Sequence, residues 1–266
     1  MIQLILFHGN ILSFNLIDVQ IFYNFPSALT LLPKGVLIYL FMQSINQDQH
    51  KHGLKPVTIT GNQEISPNVF VISWKRNVNF QPGQVIKISA DSEESPRIYS
   101  ICSGNREDEM YVLFNVKPSG SLTPKLAQMR PGDEIYVSDP YGSFVCDDSP
   151  AYWIATGTGI APFYSMIRSG NSGNKKLLHG VSYANQFYFE EILKKELGDR
   201  YICCCSRDHS GIHFPGRITD YLLGREELPK DDKYYLCGQA LMVVEVRDLL
   251  IQKGVPYNQI YAEIFF

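Results

Sequence analysis

The hydrophobic period of this chain changes once, between Cys146 and Pro150, and that change restricts the fold more than any other feature. Before it, short apolar runs are punctuated by Gly and Pro. Pro56 to Ile65, Asn68 to Lys75, Gln84 to Ala90, Arg97 to Ser103, Met110 to Lys117 and Glu134 to Ser138 read as strands, with one helix from Leu122 to Met129. Strands at this spacing suggest a small antiparallel barrel. After it, strands alternate with helices. Ala151 to Thr156, Leu177 to Tyr183, Tyr201 to Ser206, Tyr234 to Cys237 and Gln259 to Phe265 read as strands. Ile160 to Arg168, Phe187 to Leu197, Ile218 to Leu223 and Leu241 to Lys253 read as the helices between them. Strand–helix alternation with short links argues for a doubly wound parallel sheet.

The 266 residues suffice for two domains of ordinary size. The expected division is 42–148 for the barrel and 149–266 for the α/β half. Residues 1–41 differ in character: they are rich in Ile, Leu and Phe, with Asp18 and Lys34 their only charges. Asn10, Asn15, Asp18, Asn24, Pro26 and Pro33 interrupt every candidate for the roughly 20 apolar residues a membrane helix needs. No basic n-region or cleavage site marks a signal peptide. The expectation is that residues 1–41 lie outside the working fold, as an upstream start assignment would leave them; a membrane-contacting segment is the alternative. Mass spectrometry of the native N-terminus separates the two.

A net charge of -3 provides no broad basic field, which argues against nucleic acid as a partner. The six cysteines form no CxxC pair and no cysteine–histidine spacing that suits zinc, so no metal site is expected. Cys203, Cys204 and Cys205 are consecutive, and their side chains should alternate between the faces of a strand. Reduced thiols point to the cytoplasm.

Two motifs carry chemistry. Arg97-Ile98-Tyr99-Ser100 puts a cation and an aromatic ring on one strand face, with a hydroxyl on the other unless the strand bends. Alone, it also fits a strand with one exposed Arg and a half-buried Tyr. Gly157-Thr158-Gly159-Ile160-Ala161-Pro162 leaves the first α/β strand and opens a helix. Its glycines allow a tight turn and close approach to a pyrophosphate, and Pro162 suits the first helical turn. It is neither G-x-G-x-x-G nor a P-loop.

At this spacing the two motifs resemble those of the ferredoxin–NADP reductase family, over roughly Lys55 to Phe266. The likeness extends to Gly120-Ser121-Leu122-Thr123, to Pro131-Gly132-Asp133, to the Gly142-Ser143-Phe144 segment and to Cys237-Gly238. It implies that Arg97, Tyr99, Ser100, Gly120, Leu122 and Thr123 hold a flavin, FAD rather than FMN because the Gly120–Thr123 turn would serve a pyrophosphate. On the residues alone that turn is equally a plain helix cap, with Ser121 or Thr123 as capper. The likeness further implies that Gly157, Thr158, Gly159, Pro162, Ser206, Arg207 and Arg217 hold a nicotinamide nucleotide. Ser206 and Arg207 suit the 2′-phosphate of NADP, although Asp208 follows and solvent-exposed arginines would look the same. Ser100, Cys237, Glu263 and Phe265 are the residues implied around the reacting atoms. Cys237 alone also fits a small buried residue at a strand end, and the last strand an apolar tail.

The implied activity is hydride transfer between NADP(H) and FAD, with single electrons passed to or from ferredoxin, flavodoxin or another small redox protein by a monomeric enzyme. Two alternatives share the fold: a reductase component serving an oxygenase or other iron–sulfur partner, and a flavin electron-transfer subunit without efficient nicotinamide turnover.

Overall fold

A computed structural model of the chain describes residues 6–7, 10–11, 53–92, 94–207 and 211–265, with 6, 7, 10, 11 and 265 described for their backbone only. It divides into two compact units, Met1–Gly53 and Leu54–Phe266. In the first, β1 (Leu6–Phe7) pairs antiparallel with β2 (Asn10–Ile11). The expectation for residues 1–41 otherwise lies outside the described residues. Among the described residues, no helix is long and apolar enough to cross a membrane.

The second unit opens with six antiparallel strands: β3 (Lys55–Ser66), β4 (Val69–Lys75), β5 (Val85–Ser89), β6 (Arg97–Ser100), β7 (Glu109–Asn115) and β8 (Glu134–Val137). Their order is β6-β5-β8-β3-β4-β7. A bridge from Ile101 to Val112 joins the two edges and closes the barrel. Alternation sends one face of each strand inward, so Val57, Ile59, Ile72, Ile86, Ile88, Val112, Phe114, Ile135 and Val137 form one core. Helix α1 (Thr123–Gln128) plugs it with Leu126. The β3–β4 turn places Asn68 at φ 63, a left-handed position that Asn tolerates.

The remaining strands are β9 (Ala151–Thr156), β10 (Lys175–Val181), β11 (Tyr201–Cys205), β12 (Phe214–Pro215), β13 (Lys233–Gln239) and β14 (Ile260–Phe265). They form one parallel sheet in the order β12-β11-β10-β9-β13-β14. Helices α2 (Ala161–Arg168) and α3 (Glu190–Leu197) cover one face; α4 (Ile218–Leu223) and α5 (Ala240–Gln252) cover the other. The period-two rule shows directly in β9: Trp153 and Ala155 join the first layer, Tyr152 and Ile154 the second. Cys203 and Cys205 likewise part from Cys204. All six cysteines are free thiols.

The fold is the expected barrel followed by a doubly wound sheet, with differences at ends. The expected Phe187–Leu197 helix starts only at Glu190, because Ala184–Gln186 forms a 3₁₀ turn and Phe189 sits at φ 62. There the Phe189 ring stacks on Tyr164 with centroids 3.9 Å apart. The two-residue β12 was not anticipated; it is too short to carry a period.

The two halves share a core. Val69, Cys102 and Leu113 from the barrel pack in the same cluster as Trp153, Phe163 and Met166. The buried Ser165 hydroxyl donates to the Ser103 carbonyl at 2.6 Å, and Arg168 pairs with Glu107 at 2.5 Å. Gly83 and Gly104 sit where no side chain fits. A Cβ on Gly83 would strike the Phe144 carbonyl, and one on Gly104 would lie 2.8 Å from that of Arg168. The connection between the halves is tied down by Lys175, only 2% exposed, whose ammonium donates to the carbonyls of Asp147 and Ser149. Lys233 pairs with the Asp147 carboxylate and holds it well below the usual carboxylate range.

Candidate active site between the barrel and the sheet

In the parallel sheet, β9 leads to β10, β11 and β12 on one side, while β13 and β14 lie on the other. The reversal falls between β9 and β13, and the crevice beyond the carboxyl ends of such strands is where open α/β sheets bind ligands. Both glycine motifs stand there. Gly157, at φ +54, leaves β9 into a 3₁₀ turn, Gly157–Ile160, before α2 begins at Ala161. Pro162 occupies the first helical turn, as expected. A Cβ on Gly159 would run into the Cys237 carbonyl, and Gly238, at φ +140, faces Thr156 with no space for one. The two backbones therefore approach more closely than any side chain permits.

Behind this turn lies a buried polar pair that sequence reasoning missed. His179 on β10 is fully buried, with Nδ1 3.0 Å from the Tyr201 hydroxyl. Burial pushes its imidazole down to about 4, opposed by the Gly157 carbonyl and the Glu190 charge. His179 is therefore neutral at physiological pH and packs as a polar wedge under the glycine turn.

The barrel meets the crevice at Ser100. Ser100 ends β6 and is buried, while Tyr99 is half-buried and Arg97 exposed. Its hydroxyl donates to Glu263 Oε2 at 3.0 Å, across 163 positions of sequence. Cys237 Sγ lies 3.9 Å from the same oxygen. β13 and β14 pair Cys237 with Glu263 in register, so the thiol and carboxyl are held by the sheet itself. Burial raises the Glu263 carboxyl to about 7, against the hydrogen bonds from Ser100 and Cys237. Burial also pushes the Cys237 thiol well above its ordinary value, helped by the Glu263 charge. The arrangement holds a hydroxyl, a neutral thiol and a carboxyl poised between protonation states in one place.

Large apolar side chains stay exposed around this cluster. Ile98 is 58% exposed, and Tyr141 and Ile264 are each 37% exposed. Tyr141 bridges to Val85, which pairs with Ser100. Burial, then the Glu263 charge, pushes the Tyr141 phenol up to about 12. Tyr99 is also pushed up to about 12 by burial, against the Arg97 charge. Its ring packs edge-on to Phe114, 6.4 Å between centroids. Exposed Ile98, Tyr141 and Ile264, the exposed Arg97 and the Ser100–Glu263 pair are the kinds of group that suit an aromatic ring system with a polar edge and an anionic tail. The Phe265 backbone continues β14, but its side chain lies outside the described residues.

The Gly120–Thr123 turn differs from its simplest reading. Neither Ser121 nor Thr123 caps α1: Leu122 is the N-cap residue, and Thr123 Oγ1 accepts from the Lys117 amide at 2.8 Å. That bond folds the Lys117–Thr123 segment into a loop, with Leu122 buried beneath it and Gly120 on the surface.

On the nucleotide side, Ser206 and Arg217 line a surface cavity of about 790 Å³ with Gly216, Thr219 and Asp220. Arg217 is the N-cap residue of α4, its amide donating to Asp220 Oδ2 at 2.7 Å. Arg207 is not among the cavity's lining residues. Its guanidinium lies over the Tyr183 ring, 5.4 Å from the centroid, and donates to the Tyr183 hydroxyl at 2.8 Å. Tyr183, 49% exposed, was missed from sequence. Asp208, which clouded the choice of nucleotide, lies outside the described residues.

Comparison with known proteins agrees with this geometry. Residues 56–146 match the oxidoreductase FAD-binding domain, and residues 153–248 the oxidoreductase NAD-binding domain. The chain belongs to the ferredoxin–NADP reductase family of FAD- and NAD(P)-binding oxidoreductases. It is 29% identical over 223 residues to the ferredoxin–NADP reductase of Pseudomonas aeruginosa, covering 71% of this chain and 86% of that one. It is 31% identical over 207 residues to the propane 2-monooxygenase reductase component of Mycolicibacterium smegmatis, covering 70% of this chain. The chain spans 59% of that relative's length. A ferredoxin–NADP reductase of Neisseria gonorrhoeae, solved with bound FAD and NADP, superposes with a TM-score of 0.73 at 20% identity, over 81% of this chain and all of that one. In family terms, the barrel is the flavin half and the parallel sheet the nicotinamide-nucleotide half.

Proposed function

We propose that the protein is an FAD-dependent oxidoreductase that exchanges hydride with NADP(H) and single electrons with ferredoxin, flavodoxin or a similar small redox protein. The convergence of Ser100, Cys237 and Glu263 at the switch-point crevice carries this reading. Bound against that cluster, the flavin supplies the step from two-electron to one-electron chemistry. Arg97 neutralises its phosphates, and Tyr99 and Tyr141 offer faces for its ring. The Gly157–Ile160 turn and the start of α2 present backbone N–H groups to a pyrophosphate. Gly159 and Gly238 leave room for it to approach.

The Ser100 hydroxyl and the Glu263 carboxyl form a short proton path. Glu263 Oε2 accepts from Ser100 Oγ, and a carboxyl near 7 gains or loses its proton readily at physiological pH. Cys237 is neutral and small, and its thiol packs against Oε2 without adding charge. Around the ribose, Ser206, Arg207 and Arg217 bring one hydroxyl and two cations, which suits a 2′-phosphate. Tyr183 adds an exposed ring beside them. The flavin half is proposed to end near 148 and the nucleotide half to begin there. The enzyme is proposed to act as a cytoplasmic monomer, consistent with six free thiols.

The likeness to the propane 2-monooxygenase reductase component supports a second reading, in which the partner is an oxygenase system. Anaerobic stopped-flow absorbance separates the two. NADPH alone is expected to bleach the flavin fast. Fast bleaching by NADH alone moves the assignment to the oxygenase reading, and reduction by neither removes the nicotinamide role.

A further inference from the structure

Three metal-competent side chains meet in the nucleotide half, apart from the cluster at Ser100. Glu190 opens α3, Cys203 is the third residue of β11 and His213 precedes β12. Their ligand atoms all lie within 4.8 Å of one another. His213 Nε2 is 3.2 Å from Glu190 Oε1, and Cys203 Sγ is 3.9 Å from the same oxygen. A tetrahedral ion with bonds of about 2.0–2.3 Å sets neighbouring N, O and S ligands roughly 3.3–3.7 Å apart. The two pairs that share Glu190 Oε1 are therefore close to the edges of such a tetrahedron, and the Cys203–His213 pair lies within 4.8 Å. Thiolate, imidazole and carboxylate together are a zinc-type donor set, unlike the all-oxygen sets of magnesium or calcium.

The surroundings favour holding this geometry. Cys203 is buried in a strand, and the His213 ring packs 4.7 Å from that of Phe187. Glu190 is half-buried and forms the polar mouth. The same Glu190 oxygen also pairs with Lys194, 2.8 Å away and one helical turn on, whose exposed ammonium can turn to solvent. No motif announces the group: Cys203 and His213 are ten positions apart and the third ligand lies on the preceding helix, so the sequence pointed to no metal.

We propose that Glu190, Cys203 and His213 bind a zinc-type divalent cation, with a fourth position open to water or a small ligand. On binding, the Cys203 thiol gives its proton to the buffer as the sulfur–metal bond forms, and Lys194 leaves Glu190. The site stands on these three side chains and does not depend on the redox activity proposed above.

The test is equilibrium dialysis of the chelator-stripped, flavin-loaded protein against zinc, with metal counted by elemental analysis and cobalt(II) as a spectroscopic probe. One zinc per chain is expected, with half-saturation at about 1 μM or below. Cobalt should give a thiolate-to-metal charge-transfer band in the difference spectrum. Cys203→Ser and His213→Gln should each weaken zinc by about 100-fold, with flavin content unchanged. Cys146→Ser, which alters a half-buried thiol elsewhere, should not. If a core variant fails to fold, Glu190→Gln at the mouth should give the same loss. No stoichiometric zinc on the wild type, full affinity in the folded variants, or cobalt bound without a thiolate band would each overturn the proposal.

Discussion

Glu263 has a raised carboxyl because two strands and a barrel edge close over it, and the sign of the resulting pH effect follows. Below about pH 4.5 the carboxyl is protonated in folded and unfolded chains alike and contributes nothing. Between there and about 7 the unfolded chain ionises first, so the folded form holds the extra proton and loses stability as pH rises. Above about 7 both are ionised and the cost is constant. In flavin-free protein, Glu263→Gln should gain on the wild type by about 1–3 kcal/mol across that window. Urea midpoints of the two proteins against pH check this; parallel curves would remove the buried carboxyl. Arg207→Ala should weaken NADPH by about 10- to 100-fold and NADH by no more than about twofold. Titration with each nucleotide measures it, and equal losses would remove the 2′-phosphate role. At this scale the sequence was partly legible. Ser100, Cys237 and Glu263 could be picked out singly by resemblance, but Ser100 and Glu263 are separated by 163 positions and only the fold brings them together. His179 and Tyr183 carried no motif, and only the packing of β10 and its following turn places them.

Elements were easier to read than contacts. β9 and α4 fall on the residues the period predicted, because each has a strongly apolar face ended by Gly or polar residues. The start of α3 did not, since Phe187, Tyr188 and Phe189 look like one more apolar helical turn. They serve instead as an irregular lead-in that packs Phe187 and Tyr188 into the core. The Gly157–Ile160 turn shows what an element boundary contributes to function. Gly159→Ala would place a methyl against the Cys237 carbonyl, forcing β9 and β13 apart at the crevice. It should cost about 1–3 kcal/mol of stability and most of the nicotinamide-nucleotide affinity, with flavin retained. Thermal unfolding and nucleotide titration of the purified variant check both parts. Normal nucleotide binding would mean that the close approach of the two strands has no part in holding the ligand.

For the whole molecule, the change of period at Pro150 marks a change of architecture but not an independent folding boundary. The cluster that holds Trp153 and Phe163 also holds Val69, Cys102 and Leu113. Residues 54–266 should therefore unfold in a single calorimetric transition, with calorimetric and van't Hoff enthalpies that agree. Two resolved transitions would mean that the shared core is weaker than its packing suggests. The two-layer plan was legible because periods of 2 and 3.6 differ over short windows. The seam was not, since side chains that cross it look like any other buried residue.

That seam also bears on how such proteins can recombine. A chimaera joined at residues 147–149, carrying another relative's nucleotide half, would set an unfamiliar wall against Gly104, whose backbone meets that of Arg168 with no side chain between them, and against Gly83, which faces the Met166 side chain. It would also have to supply a lysine at the place of Lys175 to hold the crossover carbonyls. Exchange between relatives should succeed when the barrel face and the α2 face travel together, and fail when either is inherited alone.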